Sequence, residues 1–333
     1  YYIYKKREAT SWRPWGGIHT LDDVHREEER INKELGELQS RVEFKLKILP
    51  LSSINSVDKL DEIKDDLDKA DVLLLYAASV IPPVSGKGVL EKLVNMGKHV
   101  IFFLRYKSGP VYLWYEIIHP RFLRRMSDDY VQPNVSINDI VVDKYDALLW
   151  RLRALFGLKN TIGRRVVAIG GASGWNGGGV GRVTGPYLAR NFWKLDIIEV
   201  SYDELGARLR EAKEKGYLDK ARRLAEEYLS DKGVKLVTNL DFVVNGFLVY
   251  LVFKDLLREY DADVITVNEC MTTIIPIAET TACLALSLLN DEGYLAFCES
   301  DFVVIPAGIL LHFISGKPVF LNDPTYPYDG VVL

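Results

Sequence analysis

Short apolar runs alternating with amphipathic stretches set the rhythm of this chain. Ala70–Tyr76 and His99–Leu104 are nearly continuous apolar runs of the buried-strand type. Val42–Leu49 instead alternates apolar and charged positions, like a strand with one face covered. A polar helical stretch opens at Ser56 and runs to about Lys69, and Gly88–Met96 reads as a second helix. Ile140–Val142 adds a strand, followed by a helix from Lys144 to about Phe156. This order predicts a parallel sheet covered by helices.

Gly157–Arg165 is short, polar and glycine-flanked, and marks the expected domain boundary. It gives an N-terminal α/β domain over 1–160 and a second over 161–333. In the second, strands are expected at Val166–Ile169, Leu195–Val200, Val264–Val267, Leu295–Phe297 and Val319–Phe320. Helices are expected at Val183–Phe192, Leu240–Tyr260, Glu279–Leu289 and Phe302–Ser315. Ser201-Tyr-Asp-Glu204 is a capping box that opens a long amphipathic helix to about Leu229, with a break near Gly216. The predicted fold class is α/β, with two consecutive parallel-sheet three-layer domains. No internal repeat of solenoid period is present.

Composition narrows the function classes. With 48% hydrophobic and 26% charged residues the chain has ample core and is not globally disordered. A net charge of −4 gives no broad electrostatic case for nucleic acid. The basic runs at Arg121, Arg124 and Arg125, and from Arg151 to Arg165, read as solvated faces. The longest apolar stretches, Phe247–Phe253 and Phe302–Ile314, fall short of the roughly 18 residues of a membrane span. Cys270, Cys283 and Cys298 are odd in number and lack CxxC spacing, so reduced, buried thiols are expected rather than structural zinc. No signal-peptide pattern is present, and a cytoplasmic location is expected. The sequence stops inside the apolar run Val331–Leu333 and reads as interrupted.

Acidic residues sit just past the expected strands, where open α/β sheets bind their ligands. Glu269 follows Val264–Val267, and Glu299 and Asp301 follow Leu295–Phe297. If these strands are neighbours, the three acids converge and require a cation or a proton between them. An oxygen-rich set suits Mg²⁺ or Mn²⁺ better than zinc. Alternatively, Glu299 and Asp301 cap the next helix. Glu279 reads as an N-terminal helix acid and His312 as a core histidine, while His19, His25, His99 and His119 show no paired metal spacing.

Two further segments carry candidate chemistry. The loop Gly170–Gly181 follows a strand and precedes a helix, which lets backbone N–H groups approach an anion. It contains neither GxGxxG nor a Walker motif, so it reads as a substrate-lining loop, with Trp175 stacking on a sugar face, or as a linker. In Thr10–Gly17, Arg13 and Trp15 suit recognition of hydroxyl or carboxylate groups and apolar stacking, although Pro14 alone accounts for a rigid turn.

Three anchors in the chain resemble the L-fucose isomerase and L-arabinose isomerase superfamily. Leu289-Asn-Asp-Glu-Gly-Tyr-Leu-Ala-Phe-Cys-Glu299-Ser-Asp301 is similar to the segment in which a helix, a glycine and a short strand lead to an acid-x-acid triplet. Gly316-Lys-Pro-Val-Phe-Leu-Asn-Asp-Pro-Thr-Tyr326 resembles the strand and loop that follow it. Trp12-Arg13-Pro14 with Gly16-Gly17 is similar to an N-terminal Arg-Pro loop of fucose isomerases. The resemblance implies two α/β domains and a homo-oligomer. It also implies a mainly β C-terminal domain, not present in this chain, that supplies a ligand histidine. It implies Mn²⁺ or another divalent cation held by Glu269 with Glu299 or Asp301, and Arg13 as a substrate contact across a subunit boundary. Ser300 stands where relatives carry Gly or Asn, and Tyr328 near where some carry histidine.

The expected function is a metal-dependent aldose–ketose isomerase for a pentose or 6-deoxyhexose. Glu269 or Asp301 would move a proton between C1 and C2 through an ene-diol, with Arg13, Trp15 and Trp175 binding the sugar. Two alternatives are a non-catalytic sugar- or metabolite-binding protein on the same scaffold and an isomerase of a phosphorylated or sulfonated sugar. The latter would use the glycine loop and Arg182. Partners are a small-molecule sugar and further copies of the chain, with no nucleic acid and no membrane.

Overall fold

The computed structural model describes residues 1, 3, 18–76, 88–108, 136–174 and 184–319, and the backbone alone of 327–328 and 331–332. The fold is mixed α/β, with two separate parallel sheets. The chain divides into compact units Tyr1–Leu152 and Arg153–Leu333.

In the first unit, β1 (Val72–Tyr76), β2 (His99–Leu104) and β3 (Ile140–Val142) lie side by side in that order. Leu74 pairs with Ile101 and Phe103 with Val141. β2 is buried from Val100 to Leu104, which accounts for its unbroken apolar sequence. Leu73, Val100, Phe102 and Leu104 share one cluster with Leu60, Leu67 and the helical residues Val89 and Leu93. The helix α1 (Leu21–Ser40) is opened by a reciprocal Thr20–Asp23 capping box and buries Val24, Ile31, Leu35 and Leu38. It also buries Glu27, whose carboxylate meets the fully buried Arg105 at 2.5 Å; Glu34 meets the same guanidinium at 2.5 Å. Two short helices, α2 (Lys64–Lys69) and α3 (Val89–Val94), and 3-10 turns at Asp58–Ile63 and Ile137–Asp139 also belong to this unit.

Val42–Leu49 departs from the expectation. Its burial alternates as its sequence does, with Val42, Phe44, Leu46 and Ile48 half-buried, yet it belongs to no strand. The alternation reports a segment covered along one side, which needs no hydrogen-bonded neighbour. The next helix, α4 (Tyr145–Thr161), runs past the expected linker start. Gly157 carries the helix close to α11 (Ile305–Ser315), where a Cβ would meet Ile314 at 2.7 Å, and the Thr161 hydroxyl donates to the Gly157 carbonyl at 2.8 Å.

The second sheet contains β4 (Arg165–Ile169), β5 (Asp196–Val200), β6 (Val264–Val267) and β7 (Leu295–Cys298), in the spatial order β5-β4-β6-β7 and all parallel. Alternate residues feed two cores. Val167, Ile169, Ile265 and Val267 pack with α6 (Tyr202–Glu214), α7 (Tyr217–Leu229), α8 (Leu240–Glu259), α9 (Ile274–Ala278) and α10 (Cys283–Asp291). Val166, Ala168, Val264 and Phe297 pack with Ala189 of α5 (Gly185–Asn191) and with Ile305 and Ile309 of α11. α8 is buried continuously from Val244 to Phe253, as an apolar helix within a core must be. The break at Gly216 is present: the residue has φ +82° and separates α6 from α7. Val319 belongs to no strand, and Phe320 lies outside the described residues. Pro327–Tyr328 and Val331–Val332 form a small antiparallel pair. Among the described residues, no helix is long and apolar enough to cross a membrane.

Candidate functional site

The carboxyl ends of β4 and β6 are tied together by Asn268. Its backbone N–H donates to the Ile169 carbonyl at 2.8 Å and its side-chain amide to the Gly170 carbonyl at 3.1 Å. The Tyr202 hydroxyl donates to its carbonyl, and burial of that phenol raises its pKa. Gly170 and Gly171 have φ of +75° and +93°, which turns the chain sharply out of β4. Gly174 then passes so close to the β7 turn that a Cβ would stand 1.9 Å from the Glu299 carbonyl oxygen and 2.7 Å from Asn268 Oδ1.

β6 and β7 are neighbours, with Val267 opposite Cys298, so the residues past their ends share one edge. Glu269 has φ +50°, Glu299 +62° and Ser300 +45°. Non-glycine residues adopt this left-handed backbone uncommonly, and such strain clusters at functional sites. Glu269 is exposed and accepts a hydrogen bond from the Thr273 hydroxyl. Ser300 is buried; its N–H donates to Thr266 Oγ1 at 3.1 Å, while its own hydroxyl has no hydrogen-bond partner among the described residues.

The three expected acids behave differently. Asp301 accepts from the Val303 N–H at 2.9 Å, and its carbonyl accepts from Ile305 at 3.0 Å, so it shapes the turn before α11. The helix itself has Val304 as its N-cap and no side-chain cap, so neither Glu299 nor Asp301 caps it as the alternative expected. Glu299 meets two thiols instead. Cys270 Sγ lies 3.0 Å and Cys298 Sγ 3.6 Å from Glu299 Oε1, and the two sulfurs are 2.8 Å apart. Their donor atoms all lie within 4.8 Å of one another, the one such His/Cys/Asp/Glu group of three or more among the described residues. Neither Glu269 nor Asp301 belongs to it.

Cys283, at the exposed start of α10, reaches the same cluster through Cys270. The neighbouring Cys270 thiol lowers the Cys283 pKa. Hydrogen bonds to Cys283 and Cys298, together with burial, push the Cys270 thiol up. Thiols are soft ligands, and a set of two thiols with one carboxylate does not suit Mn²⁺, which prefers oxygen donors.

Glu279 is not at a helix N-terminus: it closes α9 with φ +54°, four residues before α10 begins. His312 is half-buried, with Nδ1 2.9 Å from the Lys317 carbonyl. Arg13, Trp15, Trp175 and Arg182 lie outside the described residues, as does the glycine loop beyond Gly174. Sequence reasoning passed over Asn268 and the convergence of the cysteines. The available signal for Asn268 was an amide directly after a four-residue buried strand. No family model matches this chain, and no curated protein matches it in sequence.

Proposed function

We propose that this chain is an aldose–ketose isomerase acting on a pentose or 6-deoxyhexose at the carboxyl edge of its second sheet. The observation that carries the reading is the pairing of β6 with β7, after which Glu269 and Glu299 follow in left-handed backbone. An exposed carboxylate at 269 is free to meet a sugar in the crevice where open α/β sheets take ligands. Glu269 would take the C2 proton of the aldose and return it at C1 through the ene-diol, while solvent gives a proton to O1 and takes the one on O2, with no net redox change. No step is routed through Mn²⁺, because the donor set around Glu299 does not suit it. The three-layer, fucose-isomerase-like layout of both units, a homo-oligomer and a cytoplasmic setting belong to the same proposal. The three unpaired thiols support the last of these.

The test is deuterium exchange. Pentoses and 6-deoxyhexoses are incubated with the reduced protein in D₂O and followed by NMR, in parallel samples with and without added divalent cations. Label at C1 of a ketose or C2 of an aldose, lost in Glu269→Gln, supports the reading. Absence of label from every sugar, with the protein folded, overturns it. The binding-protein alternative is favoured by Asp301, whose carboxylate accepts the Val303 N–H and lies outside the Glu299 cluster. Saturable sugar binding without any exchange would establish that alternative.

A further inference from the structure

We infer that Cys270, Cys298 and Glu299 form a site for one thiophilic divalent cation of the zinc type. The inference does not depend on the isomerase reading. Its elements come from two neighbouring strand ends: Cys298 is the last residue of β7, Glu299 follows it, and Cys270 lies three residues past β6. Two sulfurs each about 2.3 Å from a tetrahedral ion stand roughly 3.8 Å apart, whereas a disulfide brings them to about 2.05 Å. The observed 2.8 Å falls between the two.

Glu299 decides between them. Among the described residues its side chain accepts hydrogen bonds from these two thiols and from no other group. Oxidation to a disulfide would remove both donors and leave a half-buried carboxylate without a partner, which is costly. A cation engages both sulfurs and the carboxylate together, after the sulfurs separate by about 1 Å. Deprotonation of the two thiols releases two protons, and the two thiolates with the carboxylate bring three negative charges to the doubly charged ion, leaving a net charge of about −1 on the site. Three protein ligands leave a fourth position open to water or a substrate oxygen, the pattern of a reactive rather than a closed site. Cys283 stands outside the three-donor cluster.

The probe is Co²⁺, titrated under anaerobic conditions into the reduced full chain and read by absorption. We expect one equivalent to produce a thiolate-to-cobalt charge-transfer band that one equivalent of Zn²⁺ removes. Cys270→Ser and Cys298→Ser should each lose most of the band, Glu299→Gln should weaken Co²⁺ binding at least tenfold, and Cys283→Ser should retain both. Circular dichroism of every variant establishes that it is folded, and Cys270→Ala and Cys298→Ala replace any serine variant that is not. Absence of the band in the wild-type chain with all three thiols reduced overturns the site. So does its loss in folded Cys283→Ser alone. A band without deuterium exchange keeps this site and overturns the isomerase; exchange without a band does the reverse.

Discussion

Gly174→Ala tests whether the glycine loop and the β7 turn are locked together. The new Cβ would stand 1.9 Å from the Glu299 carbonyl oxygen, about 1.5 Å short of ordinary contact, and 2.7 Å from Asn268 Oδ1. Neither obstacle yields cheaply: one is backbone, and the other is the buried amide side chain that ties β6 to Gly170. Overpacking of this kind costs about 1–3 kcal/mol. For a unit of this size that lowers the calorimetric melting temperature by roughly 2–12 °C. If the Glu299 turn moves rather than the loop, Co²⁺ affinity falls as well, by about tenfold for each 1.4 kcal/mol of that strain. Gly216→Ala is the control. Its φ of +82° makes alanine strained, at about 1–2 kcal/mol, but no heavy atom lies within 4 Å and the residue is remote in sequence from the edge. It should lower the melting temperature and leave the cobalt spectrum unchanged. A Gly174→Ala protein that melts within about 1 °C of the wild type, with the same cobalt affinity, would refute the close approach.

Arg105→Met should destabilise the first unit by about 3–5 kcal/mol, because it removes the buried guanidinium that the Glu27 and Glu34 carboxylates meet, and should appear as a lower denaturant midpoint. Adding Glu27→Leu and Glu34→Leu should recover most of that loss; a triple variant no better than the single one contradicts the pairing. Burial alone would raise the Asp143 pKa, but hydrogen bonds from the Ser108 hydroxyl and from the Tyr106, Lys107 and Ser108 N–H groups hold it at about 2. The unfolded chain therefore binds more protons than the folded one between roughly pH 4 and pH 2, so this stability is present above that window and is lost as pH falls through it. In acid titrations Asp143→Asn should flatten that decline, leaving the share due to Asp23, also held at about 2 and led by its hydrogen bond from the His19 N–H. Ser300→Ala should be neutral or stabilising by about 1 kcal/mol in chemical denaturation, since the hydroxyl it removes is buried without a partner among the described residues; a clear loss would reveal one.

Much of the fold was legible because burial writes itself into local sequence. The apolar runs at His99–Leu104 and Val264–Val267 coincide with strands buried along most or all of their length, and Gly216 interrupts its helix where only a left-handed residue fits. Val42–Leu49 misled because alternation records which side is covered and says nothing of whether a neighbour offers hydrogen bonds. The helix α1 escaped notice although Val24, Ile31, Leu35 and Leu38 follow helical spacing, because Glu27 occupies a buried position in that stripe and dilutes the pattern. At the site, acids beyond strand ends were visible as single residues. Their partners were not: Cys270 and Cys298 are 28 positions apart and meet only because β6 and β7 are adjacent with Val267 opposite Cys298. Spacing rules for metal-binding cysteines look within one loop and miss a pair assembled across a sheet edge.

The left-handed glutamates raise the question of why a strained backbone carries a side chain at all. Glycine at 269 would adopt φ +50° without the steric cost, which is about 1–2 kcal/mol for other residues. Against that gain stand the extra entropy glycine loses on folding, about 0.5–1 kcal/mol, and the exposed hydrogen bond from Thr273. Glu269→Gly should therefore be neutral to slightly stabilising, and Glu269→Ala, which keeps the strain, should be less stable than the glycine variant by up to about 1.5 kcal/mol. Paired denaturant titrations read that difference directly. Alanine clearly more stable than glycine would show that the backbone at 269 is not left-handed in solution, and that the carboxylate is not held there against a cost. The expected order means that the edge of β6 gives up stability to carry an exposed acid at 269. Both glutamine and glycine at 269 should then abolish deuterium exchange, although they affect stability differently.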